Sequence, residues 1–160
     1  MTTAEKSVYR APSATILPGW IRVCLAFLAL ATMNVGIWAL FFPFSFYTTF
    51  PVPGHHWIAM LPPYNEHLVR DVGALTLSFA LLFVWTAISP QRHLMQAILW
   101  AWLVYAVPHF IYHINHLMHF PFIDQVGQTV LLGSVILLPI VMLLAILRPS
   151  SRPRNTHGHG

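Results

Sequence analysis

Residues 125–147 read QVGQTVLLGSVILLPIVMLLAIL and contain no Lys, Arg, Asp or Glu. A helix needs about 20 consecutive apolar residues to cross the hydrocarbon core of a bilayer, so this stretch is long enough to cross once. Similar apolar stretches lie at residues 20–42, 66–88 and 94–118. The sequence therefore predicts an all-α membrane protein whose main domain is a four-transmembrane-helix bundle.

The composition of the whole chain agrees with this assignment. Of the 160 residues, 57% are hydrophobic and 8% are charged, whereas soluble domains carry about 25% charged residues. A single cysteine, Cys24, excludes an intrachain disulfide and a thiolate metal cluster. These features indicate a multi-pass membrane protein.

The basic residues predict the orientation of the bundle. Lys and Arg occur before the first span, in the turn at residues 89–93 and after the last span, whereas the connections at residues 43–65 and 119–124 contain none. By the positive-inside rule, both termini and the turn are expected in the cytoplasm. Since the basic residues flank spans, no nucleic-acid partner is expected.

We expect one domain with two tails. Residues 1–17 are predicted to form a cytoplasmic arm, residues 18–147 the transmembrane domain, and residues 148–160 a disordered cytoplasmic tail. A signal peptide cleaved after residues 29–31 is the competing interpretation of the first span, but the apolar run continues well beyond that point.

Ionisable residues inside the spans point to a functional site, because such residues are costly in lipid and face the bundle interior or a cavity. They lie toward one end of the second and third spans. These residues are Glu66, His67, Arg70, Asp71, His109, His113 and His116.

Helical geometry predicts that these residues meet. At 100° per residue the three histidines occupy one stripe about 60° wide, which Tyr105 continues. The second span carries a similar stripe of His67, Asp71, Ala74 and Ser78. Since Arg70 and Asp71 lie at nearly the depth of His113, we expect an outward-facing His/Asp/Glu/Arg site between spans two and three.

The first interpretation of this site is a structural network. Arg70 is neutralised by Glu66 and Asp71, and the histidines link helices and fix their register. In this interpretation the polar groups satisfy one another without a ligand.

The second interpretation is a metal site. Neutral imidazole is the commonest metal ligand, and residues four or three apart can chelate a metal from one helix. His109, His113 and His116 suit zinc, copper or iron, with a fourth ligand from Asp71, Glu66 or His67. Haem is a variant that needs axial ligands on different helices, such as His67 opposite His109 or His113.

The third interpretation is a pocket for a quinone, a lipid headgroup or another amphiphile. A buried Arg beside His and Tyr grips an anionic or carbonyl group, and the aromatic-rich connection at residues 43–65 covers the pocket. The ligand-binding residues predicted are Glu66, His67, Arg70, Asp71, Tyr105 and Tyr112.

Other residues were expected to support the bundle. Gly73, Gly127 and Gly133 are predicted to allow helices to approach closely. The fourth span begins with Asp124, Gln125 and Gln128, which are predicted to add hydrogen-bonding groups to the site.

The stretch NEHLVRDVGALTLSFALL at residues 65–82, in which an Arg-x-x-Gly step opens the second span, resembles the small bacterial four-span membrane proteins called DoxX-like. Length and four-span plan agree, and the resemblance covers residues 20–147. It implies a location in the bacterial cytoplasmic membrane and a link to quinone-dependent oxidation or to a redox-related membrane complex.

The sequence thus predicts a small integral membrane protein that is binding or accessory to a membrane complex. Its expected partners are membrane lipid, other subunits of a complex or further copies of itself, and a quinone or amphiphile. A metal-dependent membrane oxidoreductase is the alternative, so the sequence leaves open whether the chain is an enzyme.

Overall fold

The computed structural model describes residues 17–61 and 63–148. In these ranges every regular element is helical. Four long helices, α1 (Gly19–Phe41), α3 (Glu66–Ile88), α4 (Arg92–Asn115) and α5 (Phe122–Leu147), join a short helix α2 (Pro43–Thr49) and a 3₁₀ turn (Leu117–His119).

The four long helices are each long and apolar enough to cross a membrane. The prediction of an all-α four-span bundle is therefore confirmed, although α4 ends three residues before the predicted end of the third span. The predicted arm lies outside the described residues except for Leu17, and the predicted tail lies outside them except for Arg148.

Local sequence explains where the helices begin. The Asn65 side chain accepts a hydrogen bond from the backbone N–H of Leu68 at 3.1 Å, which caps the first turn of α3. Glu66 lies in that first turn, where the helix dipole favours a negative charge. Pro121 precedes α5, and Asp124 lies in its first turn.

Two glycines set the packing of α1 against α3. A Cβ atom added to Gly73 would lie 2.5 Å from the backbone nitrogen of Leu40, and one added to Gly36 would lie 2.7 Å from that of Leu77. The two backbones can therefore approach this closely only because both residues lack a side chain. The prediction for Gly73 is confirmed, whereas sequence reasoning missed Gly36.

The other two predicted glycines have different surroundings. A Cβ on Gly133 would have no atom within 4 Å, so the prediction of close helix packing there is wrong. A Cβ on Gly127 would meet the Trp57 ring at 3.0 Å, so this glycine makes room for the connection before α3 rather than for a helix.

The chain alternates direction, so the bundle has two distinct ends. We call the end that carries residues 42–65 and 116–121 the loop end, and the opposite end the terminal end. The hydrophobic core lies toward the terminal end, where the first halves of α1 and α4 meet the second halves of α3 and α5. Its fully buried side chains include Leu25, Leu28, Phe83, Leu99 and Met142.

The helices form two closely packed pairs. α1 packs mainly on α3 and α4 mainly on α5, whereas the contact between α3 and α4 is much smaller. The Trp102 indole N–H donates to the carbonyl of Val135 at 2.8 Å and links α4 to α5 below the loop end. At the loop end the two pairs therefore leave space between them.

Candidate functional site

A cavity of about 600 Å³ occupies the loop end between the two helix pairs. All four long helices contribute to its walls, which are largely apolar. The connection at residues 42–65 covers it with Phe46, Phe50, Trp57 and Ile58. The prediction that this connection caps the bundle agrees with the structure.

Helix α4 contributes both histidines of the cavity wall, whereas other polar lining side chains, such as Asn34 and Thr76, lie on α1 and α3. Tyr105, His109 and His113 line it on successive turns of the helix, together with Tyr112. The rings of Tyr105 and His109 stack with centroids 5.5 Å apart, and those of His109 and His113 are 4.7 Å apart. The predicted stripe on the third span therefore faces the interior, as far as His113.

Helix α5 supplies the partner of His113. Nδ1 of His113 lies 2.7 Å from Oε1 of Gln128, whose side chain is fully buried. Nε2 of Gln128 is the one buried side-chain nitrogen or oxygen without a hydrogen-bond partner in the described ranges. His109 makes no hydrogen bond to the described part of the chain, and its ring remains available to a ligand.

A second polar cluster holds the covering connection in place. The Trp57 indole N–H donates to Oδ1 of Asp124 at 2.9 Å, and Nδ1 of His55 contacts the same oxygen. Asp124 and Trp57 are both buried. The buried carboxylate of α5 therefore anchors the segment that carries Trp57 over the cavity.

Sequence reasoning missed this anchor, although the signal was present. The sequence predicts that Asp124 adds hydrogen bonds to the histidine site, whereas in the structure its carboxylate pairs with Trp57 and His55 of the connection. A carboxylate in the first turn of an apolar helix is rarely buried unless it is paired. An indole N–H and a histidine in the facing connection were the donors that it required.

The acidic half of the predicted site lies elsewhere. His67 pairs with Asp71 at 3.3 Å, with side chains that are 88% and 60% exposed. Arg70 binds Glu66 at 2.8 Å and donates to the carbonyl of Leu40 at 2.5 Å. None of these four side chains is among those that line the cavity.

The expected meeting of the stripes on spans two and three is thus not observed, and the reason is the contact between α1 and α3. Gly73 must face α1, which turns Thr76, Ala80 and Phe83 inward. The predicted stripe lies on a different face of α3. Its members His67, Asp71, Ala74 and Ser78 are all exposed.

The histidine stripe also ends before its third member. Nδ1 of His116 donates to the carbonyl of Tyr112 at 2.7 Å, and the two rings stack at 4.3 Å. His116 is the residue at which α4 ends, and it does not line the cavity.

These positions bear on the predicted metal ligands. Among the described residues, no three His, Cys, Asp or Glu side chains are grouped so that they could hold a metal ion. His109, His113, His116 and Asp71 are therefore not brought together, because His116 caps its own helix and Asp71 lies on another face. His67, exposed and paired with Asp71, does not form a haem-binding pair with His109 or His113.

The exposure of the His67–Asp71 pair gives the first prediction. We expect His67→Gln and Asp71→Asn each to change the free energy of unfolding by less than about 0.5 kcal/mol, because exposed ion pairs contribute little. Unfolding in mixed detergent micelles, followed by circular dichroism, measures this change. A loss of several kcal/mol in either variant would show that the pair has a buried partner.

No protein-family description, curated protein or solved structure matches this chain.

Proposed function

We propose that this chain is a small integral membrane protein that binds an uncharged amphiphile of the quinone class in the cavity at its loop end. The observation that carries the proposal is a polar row, Tyr105, His109 and His113, on one wall of a cavity whose lining is largely apolar. Small-molecule sites commonly combine an apolar lining with a few polar groups that orient the ligand.

The charges around the cavity favour an uncharged head. The lining residues include no Lys, Arg, Asp or Glu, so nothing in the described wall neutralises a phosphate or carboxylate. Arg70, the residue predicted to grip an anion, is held by Glu66 and Leu40 outside the lining. Hydroxyl or carbonyl groups on a ring match the His and Tyr side chains better than a charged lipid headgroup does.

The size and position of the cavity suit such a ligand. A volume of about 600 Å³ lies within the range of about 300–1,000 Å³ for small-molecule sites. Phe27, Leu68 and Leu131 line it and are also 42–57% exposed on the outer surface of the bundle. These residues are the natural entry for a ligand that arrives from the lipid with an apolar tail.

The remaining features of the proposal come from the sequence. The distribution of Lys and Arg favours cytoplasmic termini and a loop end on the opposite side of the membrane. A bacterial cytoplasmic membrane and a role as a subunit or accessory of a membrane complex follow from the DoxX-like resemblance. The described residues bring no third ligand to His109 and His113, so their arrangement does not favour a metal-dependent oxidoreductase.

Filling the cavity tests the proposal. Ala31 lines the cavity, whereas Ala74 is exposed on α3 outside it. We expect Ala31→Phe to weaken binding of decylubiquinone at least about tenfold, since its ring occupies the space of the ligand, and Ala74→Phe to leave binding unchanged. Quenching of tryptophan fluorescence in detergent-purified protein measures the dissociation constants, because Trp57 and Trp102 line the cavity.

A parallel sample of each protein is titrated with phosphatidylglycerol and examined by native mass spectrometry. Equal quinone affinity in both Phe variants would place the binding outside the cavity. Retention of phosphatidylglycerol without any quinone binding would overturn the uncharged ligand class.

A further inference from the structure

We infer that the cavity selects a ligand whose head carries a hydroxyl group. His113 presents an unprotonated Nε2 to that head, and Gln128 is the positioning residue that fixes this tautomer. For a ligand of the quinone class, this selection favours the reduced quinol over the oxidised quinone. The inference rests on the proposed function and names the form of the ligand that it binds.

The first step concerns the tautomer of His113. Oε1 of Gln128 is an amide oxygen, which can only accept a hydrogen bond. It lies 2.7 Å from Nδ1 of His113, so Nδ1 carries the proton and donates it. A neutral imidazole has one N–H, and Nε2 is therefore left with a lone pair.

The second step concerns where that lone pair points. Within the described ranges, Nε2 of Gln128 is the only side-chain nitrogen or oxygen that is both buried and unpartnered. Nε2 of His113 has no hydrogen bond to these residues either, so it must retain accessible surface. His113 is buried and lines the cavity, and we infer that this remaining surface of Nε2 faces the cavity.

The third step is the chemistry of selection. A hydroxyl group can donate to the lone pair of Nε2, whereas a carbonyl oxygen placed there leaves two acceptors facing each other. Sites that hydrogen-bond a hydroxyl discriminate strongly against analogues without one, because the polar group of the protein is then left unpaired.

The neighbouring ring does not cancel this preference. His109 has no hydrogen-bond partner among the described residues and lies one turn from His113, with ring centroids 4.7 Å apart. Without a partner that fixes its tautomer, it can either donate to an oxygen or accept from a hydroxyl. Selection between the two forms therefore depends on His113 and on Gln128 behind it.

The test compares decylubiquinol with decylubiquinone, which share one tail, under anaerobic conditions in the purified protein. We expect the quinol to bind about tenfold more tightly than the quinone. Gln128→Glu keeps an acceptor toward Nδ1 and should keep the preference. Gln128→Leu and Gln128→Met remove the acceptor and should bring the ratio of the two dissociation constants toward one.

Gln125 provides the matched control. It lies one turn earlier on α5, and its Nε2 donates to the carbonyl of Phe120 at 2.9 Å rather than to a histidine. Gln125→Leu should leave the ratio of dissociation constants unchanged. Because a ratio is compared, a general loss of stability in any variant does not imitate the expected result.

A spectroscopic measurement reads the tautomer without a ligand. In protein labelled with ¹⁵N-histidine, and with His113→Asn used to assign the signal, Nδ1 of His113 should be protonated in the parent and in Gln128→Glu. A protonated Nε2 in the parent would overturn the inference, as would equal tight binding of both ligand forms. Failure of both forms to bind would instead overturn the proposed function.

Discussion

Replacing Gly73 by alanine should destabilise the bundle by about 3 kcal/mol, even though alanine is the better helix former. In an unpacked helix this change stabilises by about 1 kcal/mol. Here the new Cβ would lie 2.5 Å from the backbone nitrogen of Leu40 and 2.9 Å from the carbonyl carbon of Ala39. Backbone atoms of a helix cannot rotate away, so α1 and α3 must separate. We therefore expect a loss of unfolding free energy at the upper end of the range of about 1–3 kcal/mol that is typical of overpacking.

Gly133→Ala is the matched control for this prediction. Both glycines lie within long apolar helices, but a Cβ at Gly133 meets nothing within 4 Å. Gly133→Ala should therefore leave the free energy of unfolding unchanged or raise it by up to about 1 kcal/mol. Unfolding in mixed micelles, followed by far-ultraviolet circular dichroism, measures both variants.

A double substitution examines whether the two close contacts act together. Gly36→Ala alone should be destabilising, since its Cβ would lie 2.7 Å from the backbone nitrogen of Leu77. One separation of α1 from α3 relieves both clashes, so the double variant should lose less stability than the two single losses combined. A Gly73→Ala protein as stable as the parent would show that α1 and α3 do not pack through these residues.

The number of long apolar helices and their approximate limits could be predicted from the sequence, because apolar length determines whether a helix can span a bilayer. The face that each helix presents could not be predicted as readily. On α3 the charged residues suggest an inward stripe, yet the two glycine contacts with α1 decide the rotation of the helix. Close packing between two helix backbones is difficult to recognise in a sequence, whereas charged residues within an apolar span are easy to recognise.

On α4 the structure places part of the predicted group at the cavity. Tyr105, His109 and His113 face the interior, and their spacing is sufficient to indicate this. The sequence predicts an acidic partner from α3 and further hydrogen-bonding groups from the start of the fourth span, and the structure supplies the second of these, Gln128 from α5. The helix that lies opposite the stripe depends on how the α1–α3 and α4–α5 pairs pack. Although a short turn joins α3 to α4, these two helices are not the most closely packed pair.

The packing also explains why the cavity occurs at the loop end. At the terminal end, large side chains such as Phe83, Leu99 and Met142 fill the space among the four helices. Toward the loop end the close α1–α3 pair and the α4–α5 pair lose contact, and aromatic residues of the connection cover the gap. The covering segment is therefore part of the cavity wall, and its attachment to the bundle affects ligand binding directly.

Replacing Asp124 by leucine should remove that attachment and cost about 3 kcal/mol of stability. The Asp124 carboxylate is buried and accepts a hydrogen bond from the Trp57 indole at 2.9 Å, with His55 on the same oxygen. Leucine has a similar size, but it leaves both donors without their acceptor. An unsatisfied buried donor costs about 1–3 kcal/mol, and more when the lost partner is charged.

Asp124→Asn is the graded counterpart of this variant. Its side-chain oxygen can still accept from Trp57, although the negative charge that favours His55 is lost. We expect it to lose about half as much stability as Asp124→Leu. Thr129→Ala on the same helix is the control, because Thr129 is exposed and its hydroxyl bonds only the carbonyl of Gln125.

Hydrogen exchange separates loss of the anchor from loss of the bundle. In Asp124→Leu, amide exchange should rise across residues 50–61, including the Trp57 N–H that bonds the carbonyl of Phe50 at 3.0 Å. Exchange in the middle of α1 and α3 should change much less, since their contact does not involve Asp124. Uniform acceleration throughout the chain would show that Asp124 supports the whole fold instead of the covering segment.

A double-mutant cycle with Trp57→Phe isolates the hydrogen bond itself. Phenylalanine keeps an aromatic ring over the cavity but removes the indole N–H, so Asp124→Leu should be less destabilising in that background by about 1–2 kcal/mol. Additive losses of unfolding free energy would mean that the Asp124 carboxylate stabilises α5 without its bond to Trp57.

Because Trp57 lines the cavity, Asp124→Leu should also accelerate dissociation of decylubiquinone. An unchanged dissociation rate of decylubiquinone would mean that the ligand leaves through another wall of the cavity.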